Sequence, residues 1–259
     1  MPKFAANLSM LFTELPFLDR FKAASDAGFE GVEFLFPYEF EAATLAKRLK
    51  NNGLTQVLFN MPPGNWDAGE RGIACLPDRR DEFRRGVDAA LKYARALSCN
   101  QVHCMAGIVP VALDLKLART TYVESLRFAA QALAADGIQL LIEPINTQDM
   151  PGYFLNRTQQ ALDIIAELGM SNVWLQYDCY HMHIMEGDIA ATIERNLSSI
   201  AHVQIADSPG RHEPGTGEIE YPALFKHLDA FGYDGWVGCE YRPQAGTHDG
   251  LGWLAAMKA

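Results

Sequence analysis

Residues 136–146 read DGIQLLIEPIN. Gly137 closes the helical pattern before it, Ile138, Leu140, Leu141 and Ile142 make a short run interrupted only by Gln139, and Glu143 ends the run on a carboxylate. A helix stopped by glycine, then a strand apolar on both faces, is what a parallel strand covered by helices looks like in sequence. The same punctuation recurs on both sides, at AGFEGVEF (27–34), NGLTQVLF (52–59), LGMSNVWL (168–175) and FGYDGWVG (231–238). The chain is therefore a repeat of βα units.

Short apolar or β-branched runs predict eight strands, at 4–10, 31–36, 55–61, 101–107, 139–145, 173–178, 202–206 and 236–241. Helical spacing predicts helices between them. It is clearest at 78–97 and 114–135, with others at 14–26, 39–51, 156–168, 188–198, 222–230 and 249–258. Eight alternating units over this length match a (β/α)8 TIM barrel, α/β in class, although a doubly wound open sheet has the same alternation. No linker or low-complexity stretch marks a boundary. With 49% hydrophobic residues the 259-residue chain is read as one TIM-barrel domain, 1–259.

Composition excludes several roles. The formal net charge is −10, from 32 acidic and 22 basic residues, and such a field repels a polyphosphate, so no nucleic-acid partner is expected. No apolar run approaches the ~20 residues of a membrane-spanning helix, and no membrane association is expected. The opening MPKFAANLSMLFTELPF reads as a first strand rather than a secretory signal. Five cysteines form no CxxC pair and read as small core residues in a reducing compartment, so a cytoplasmic location is expected. Homo-oligomerisation is left open.

In a barrel, chemistry belongs at the C-terminal strand ends. The last four carry Glu143 (LLIEPIN), Asp178 (WLQYDCYH), Gln204 (HVQIAD) and Glu240 (WVGCEY). One strand-end carboxylate is most simply a helix cap or an ion-pair partner. Three that converge on one barrel axis would repel each other strongly in a partly desolvated mouth, and a cation answers that repulsion. The all-oxygen set suits a hard divalent ion, Mg2+ or Mn2+, with Gln204 as a neutral fourth ligand, which explains an amide in a strand that should be apolar. Glu143 and Glu240, on the outer strands of the set, would face a substrate from two sides, as proton transfer beside a carbonyl requires.

The stretches FAANLSMLF, GVEFLFPY, GERGIACLP, LLIEPIN, YDCYHM, HVQIAD, RHEPGTGEI and WVGCEY together resemble the hydroxypyruvate isomerase family, within the xylose isomerase-like barrels, almost end to end. The resemblance implies a metal-dependent isomerase that interconverts hydroxypyruvate and tartronate semialdehyde through an enediolate. Glu143 and Glu240 would be the acid/base pair and metal ligands, and Asp178 and Gln204 would complete the metal site. The 2-oxo-tetronate isomerases share FAANLSM and HVQIA, while NWDAGERGIACLP and EPGTGEI look more like the hydroxypyruvate branch. A ketose 3-epimerase on the same scaffold is the other alternative. An abasic-DNA endonuclease would need a histidine-rich zinc site, and a catalytically silent ligand-binding barrel would bind metal without turnover.

Substrate contacts are expected from four residues. His181, three residues after Asp178, would donate a hydrogen bond at the mouth. Arg211, in the loop after strand seven, would meet the carboxylate of a small hydroxy-keto acid, as similar epimerases place an arginine there. Glu70 and Arg71 lie with Trp66 in a long loop after strand three, of the kind that often covers a site; they are candidate substrate contacts, or they pair with each other. Phe12, Phe34, Phe36 and Phe59 read as core packing or as an apolar wall, and His202 as a satisfied interior histidine.

Overall fold

Gly137 and Gly169 adopt φ of 67° and 61°, the left-handed turn that ends a helix and releases the chain into the next strand. In the computed structural model, which describes residues 2–258, this device delivers eight parallel strands into a closed barrel. The strands are β1 (Lys3–Asn7), β2 (Gly31–Phe34), β3 (Thr55–Asn60), β4 (Gln101–His103), β5 (Gln139–Ile142), β6 (Val173–Asp178), β7 (Ile200–Ile205) and β8 (Trp236–Cys239). β1 pairs with β2 on one side and β8 on the other, with Phe4 opposite Val237, so the sheet closes and the open-sheet alternative is excluded. Of the expected domain 1–259, Met1 and Ala259 lie outside the described residues.

The helices are α1 (Phe17–Asp26), α2 (Ala42–Asn51), α3 (Arg80–Leu97), α4 (Leu115–Ala134), α5 (Thr158–Leu168), α6 (Cys179–Met185), α7 (Ile189–Asn196), α8 (Tyr221–Ala230) and α9 (Gly252–Lys258). All eight predicted helices are present, shortened at most ends. The short α6 was not predicted; Asp178 caps it and so starts a helix directly at the strand end. Among the described residues no helix is long and apolar enough to cross a membrane.

All strands but β6 stop earlier than predicted at the mouth, leaving Glu143 and Glu240 one residue beyond β5 and β8. Pro37, Pro62 and Pro144 follow three of these ends and have no N–H to extend the ladder. The barrel interior is layered. A small apolar cluster of Ala5, Val57, Leu58 and Leu141, with Trp174 and Trp236 against it, is separate from the large core between sheet and helices. Nearer the mouth the interior turns polar. Glu33 on β2 touches His202 and Gln204 on β7, strands that are not neighbours, so these side chains meet across the barrel.

All five cysteines are free and buried, and burial raises their pKa values, to about 12 for Cys75 and Cys99. Phe12, Phe34 and Phe59 are fully buried core rings.

Candidate active site

A cavity of about 810 Å³ opens at the C-terminal end of the barrel, lined among others by Arg71, Glu143, Gln176, His181, Arg211 and Glu240. Asp178 lies fully buried beside it and divides its oxygens between two tasks. Oδ1 accepts from the backbone N–H groups of Tyr180 at 2.8 Å and His181 at 3.3 Å, capping α6. Oδ2 accepts no hydrogen bond and lies 3.7 Å from His181 Nε2 and 3.6 Å from Arg211 Nη2. One oxygen thus caps the helix, and the other is left free beside the cavity.

Glu143 is similar. Its Oε2 accepts from Gln176 Nε2 at 3.0 Å, while Oε1 is buried without a hydrogen bond, 3.8 Å from His181 Nε2. Burial, then the charges of Glu240 and Asp178, raises its pKa well above the usual carboxylate range. Burial also raises Asp178, against the pull of Arg211. Glu240 is pushed up to about 8 by burial, Arg211 opposing and Asp178 and Glu33 adding to it. Its Oε1 accepts from Arg211 Nη2 at 2.6 Å, and its Oε2 accepts from Asn7 Nδ2 at 3.0 Å and Gln204 Nε2 at 2.6 Å.

Burial, and then Arg211 and His103, drive the pKa of His181 well down. The Asn146 amide donates to its Nδ1 at 2.7 Å and to Asp149 at 3.0 Å, while Asn146 Oδ1 accepts two backbone N–H groups. Nδ1 is therefore the acceptor nitrogen and the ring proton sits on Nε2, toward the free oxygens of Glu143 and Asp178. Nε2–H is thus a donor at the cavity, beside Glu143 and Asp178.

Gln204 resolves the cost of a buried amide within the protein itself. Nε2 donates to Glu33 Oε1 at 2.7 Å and to Glu240, and Oε1 accepts from Gln176 Nε2 at 2.6 Å. Its carbonyl thus faces Gln176 rather than open cavity. Arg211 reaches the cavity wall, and burial works against its charge, but Glu240, Asp178 and Glu143 together hold its pKa above the ordinary value.

The loop after β3 separates its two candidates. Glu70 turns from the cavity to pair with Arg79, and it accepts from the Asn65 backbone N–H; it does not pair with Arg71. Arg71 lines the cavity and stacks on Trp66, its guanidinium carbon 3.8 Å from the ring centroid.

Sequence reasoning missed the layer beneath the carboxylates. Glu33 is buried on β2, where its Oε1 accepts from Asn7 and Gln204 and its Oε2 lies 2.7 Å from His202 Nε2. Room for it comes from Gly238, where a Cβ would approach Glu33 Oε2 to 2.3 Å. The signal was present: GVEF, FAAN and WLQYD each break an apolar strand with a polar residue, as HVQI does.

The donor set fits a cation. Two buried carboxylate oxygens, one each on Glu143 and Asp178, lack partners, and these two residues offer ligand atoms within 4.8 Å of one another, with the protonated Nε2 of His181 beside them as a donor rather than a ligand.

A closed βα barrel with acidic residues at the ends of β5, β6 and β8 defines the class, and residues 21–257 match the xylose isomerase-like TIM barrel family. The chain belongs to that family. It is 56% identical to the 2-oxo-tetronate isomerase of Cupriavidus necator and 50% identical to the hydroxypyruvate isomerase of Escherichia coli, each over 98% of both chains. A crystal structure from Brucella melitensis titled AP endonuclease, family 2, superimposes with a TM-score of 0.97 at 52% identity, covering 99% of each chain.

Proposed function

We propose that this protein is an isomerase of short 2-oxo acids bearing a hydroxyl on C3, with hydroxypyruvate as substrate and tartronate semialdehyde as product. The observation that carries this reading is the pair Glu143 and Glu240, two buried carboxyls lining one cavity. Carboxyls held in place on a substrate cavity can take and return a proton. One glutamate removes a proton from C3, the electrons form an enediolate across C2 and C3, and the other glutamate returns a proton to C2. The hydroxyl proton passes from O3 to O2, completing the shift of the carbonyl from C2 to C3. His181 Nε2–H supports the oxygen on which charge collects.

A hard divalent ion, Mg2+ or Mn2+, bound by Glu143, Asp178, Glu240 and Gln204 would polarise the carbonyl and stabilise that charge. For Gln204 this means exchanging its bond with Gln176 for the ion. Five unpaired thiols fit a reducing compartment, and we assign the protein to the cytoplasm.

A second reading, 2-oxo-tetronate as substrate, is favoured by the 56% identity to an enzyme of that name. The bond changes are identical, C3 carrying a hydroxymethyl group in place of hydrogen. An endonuclease reading is disfavoured by the chain's strongly acidic charge, which repels a polyphosphate backbone. The test is a coupled assay of the purified protein with Mg2+ or Mn2+ on hydroxypyruvate, 2-oxo-tetronates and ketohexoses. Turnover of ketohexoses with neither acid consumed overturns the proposal.

A further inference from the structure

We infer that Arg71, held rigidly against Trp66, recognises the carboxylate of the substrate and so selects 2-oxo acids over neutral ketoses; this rests on the function proposed above. An anionic substrate entering a mouth that holds Glu143, Asp178 and Glu240 needs a cation not already committed to them. Three arginines line the cavity: Arg71, Arg211 and Arg242. Arg211 is spent on the site's own acids, with Nη2 2.6 Å from Glu240 and 3.6 Å from Asp178. Arg242 is exposed, and among the described residues no acceptor orders its guanidinium, so its charge is screened and its side chain pays full ordering entropy on contact.

Arg71 differs on both counts. Its Nη1 donates to the carbonyls of Trp66 at 3.0 Å and Glu70 at 2.7 Å, and its face lies on the indole, which in turn packs edge-on against Phe36 at 5.0 Å. Among the described residues no acceptor meets Nε or Nη2. These two N–H groups form the side edge that binds a carboxylate through two parallel hydrogen bonds. The loop beneath is tied to the barrel by backbone contacts. Gly72 N–H bonds Pro63 O at 2.9 Å, Cys75 N–H bonds Ala106 O at 2.9 Å, and Gly72, at φ 101°, sits so close to Met105 that a Cβ would meet its carbonyl oxygen at 2.5 Å. The Arg79 clamp on Glu70 fixes the residue next to Arg71. A guanidinium ordered before binding loses little entropy when the ligand arrives.

The test compares the wild type with Arg71→Ala and Arg71→Lys, all metal-loaded. Kinetics are measured on hydroxypyruvate, and binding of tartronate, a dicarboxylate that cannot isomerise, is measured by calorimetry. Loss of the paired, charge-assisted contact raises KM and the tartronate Kd by about 10- to 150-fold in Arg71→Ala, with kcat changed far less. Arg71→Lys recovers only part, because a point charge does not replace a fork. Thermal unfolding and bound-metal content check that Arg71→Ala remains folded and loaded; should it not, Arg71→Lys carries the decision, and a tartronate Kd within twofold of wild type overturns the inference. Wild-type turnover of hydroxypyruvate with Arg71→Ala tartronate affinity unchanged also overturns it while leaving the proposed function intact. Failure of the wild type on every 2-oxo acid removes that function and this inference with it.

Discussion

Glu33 is the residue whose replacement best separates geometry from charge in the barrel interior. In Glu33→Ala, Asn7 Nδ2 and Gln204 Nε2 each lose one acceptor but keep Glu240 Oε2, at 3.0 and 2.6 Å. His202 keeps nothing: Nε2 loses its partner at 2.7 Å, and Nδ1 already has none. One orphaned buried polar group costs about 1–3 kcal/mol. The void left by the missing side chain adds about 1 kcal/mol. The expected loss is therefore about 2–4 kcal/mol, which for a chain of this size lowers Tm by roughly 4–16 °C. Glu33→Gln behaves differently. Its amide oxygen still accepts from Asn7 and Gln204, and its NH2 donates to His202 Nε2 once the imidazole proton moves to Nδ1, so the loss stays below about 1 kcal/mol. Urea unfolding followed by tryptophan fluorescence, with chelator present so that no ion contributes, measures both. Equal stability of the Ala and Gln variants would refute the reasoning, because it would mean that the hydrogen bonds drawn across the barrel do not hold it.

Glu143→Gln and Glu240→Gln, assayed at saturating metal, should each lower kcat by at least ~10²-fold while remaining folded; near-normal turnover in either removes that residue from the proton-transferring pair. Exhaustive chelation, verified by elemental analysis, should abolish turnover that Mg2+ or Mn2+ restores, with the circular dichroism spectrum unchanged because the apolar layers hold the barrel. Asp178→Asn keeps an oxygen to cap α6, and Asn caps as well as Asp, so the metal-free Tm should hold or rise while Mn2+ affinity, read by titration calorimetry, falls at least ~10-fold.

The fold was legible because its period is short and its punctuation repeats: a glycine after a helix and a strand apolar on both faces state the same local structure each time. Closure was not legible, since the β1–β8 pairing joins the two ends of the chain and leaves no local mark. At the site, Glu143, Asp178 and Glu240 could be named because strand ends must converge in a barrel, His181 from its spacing after Asp178, and Arg211 from its loop after strand seven and the likeness to epimerases with an arginine there; the structure brings all five to one cavity or its edge. What sequence could not show was the pairing of these groups. Which oxygen of Asp178 caps a helix, that Arg211 faces Glu240, and that Glu70 turns to Arg79 rather than Arg71 depend on loop paths of a few ångströms. Glu33 was passed over because a carboxylate in an early strand has no meaning until its neighbours across the barrel are known.

The five buried thiols give the molecule a built-in clock. Cys75, Cys99, Cys104, Cys179 and Cys239 stand at different points around the barrel, from the loop after β3 to the end of β8. Only a thiolate attacks an alkylating or disulfide reagent, and each of these is protected twice, by exclusion of the reagent and by a pKa that burial has raised. Labelling at neutral pH must then wait for the structure to open. Single-cysteine versions of the chain, quenched at intervals and weighed by mass spectrometry, would report opening one sector at a time and show whether the barrel gives way all at once or first at one seam.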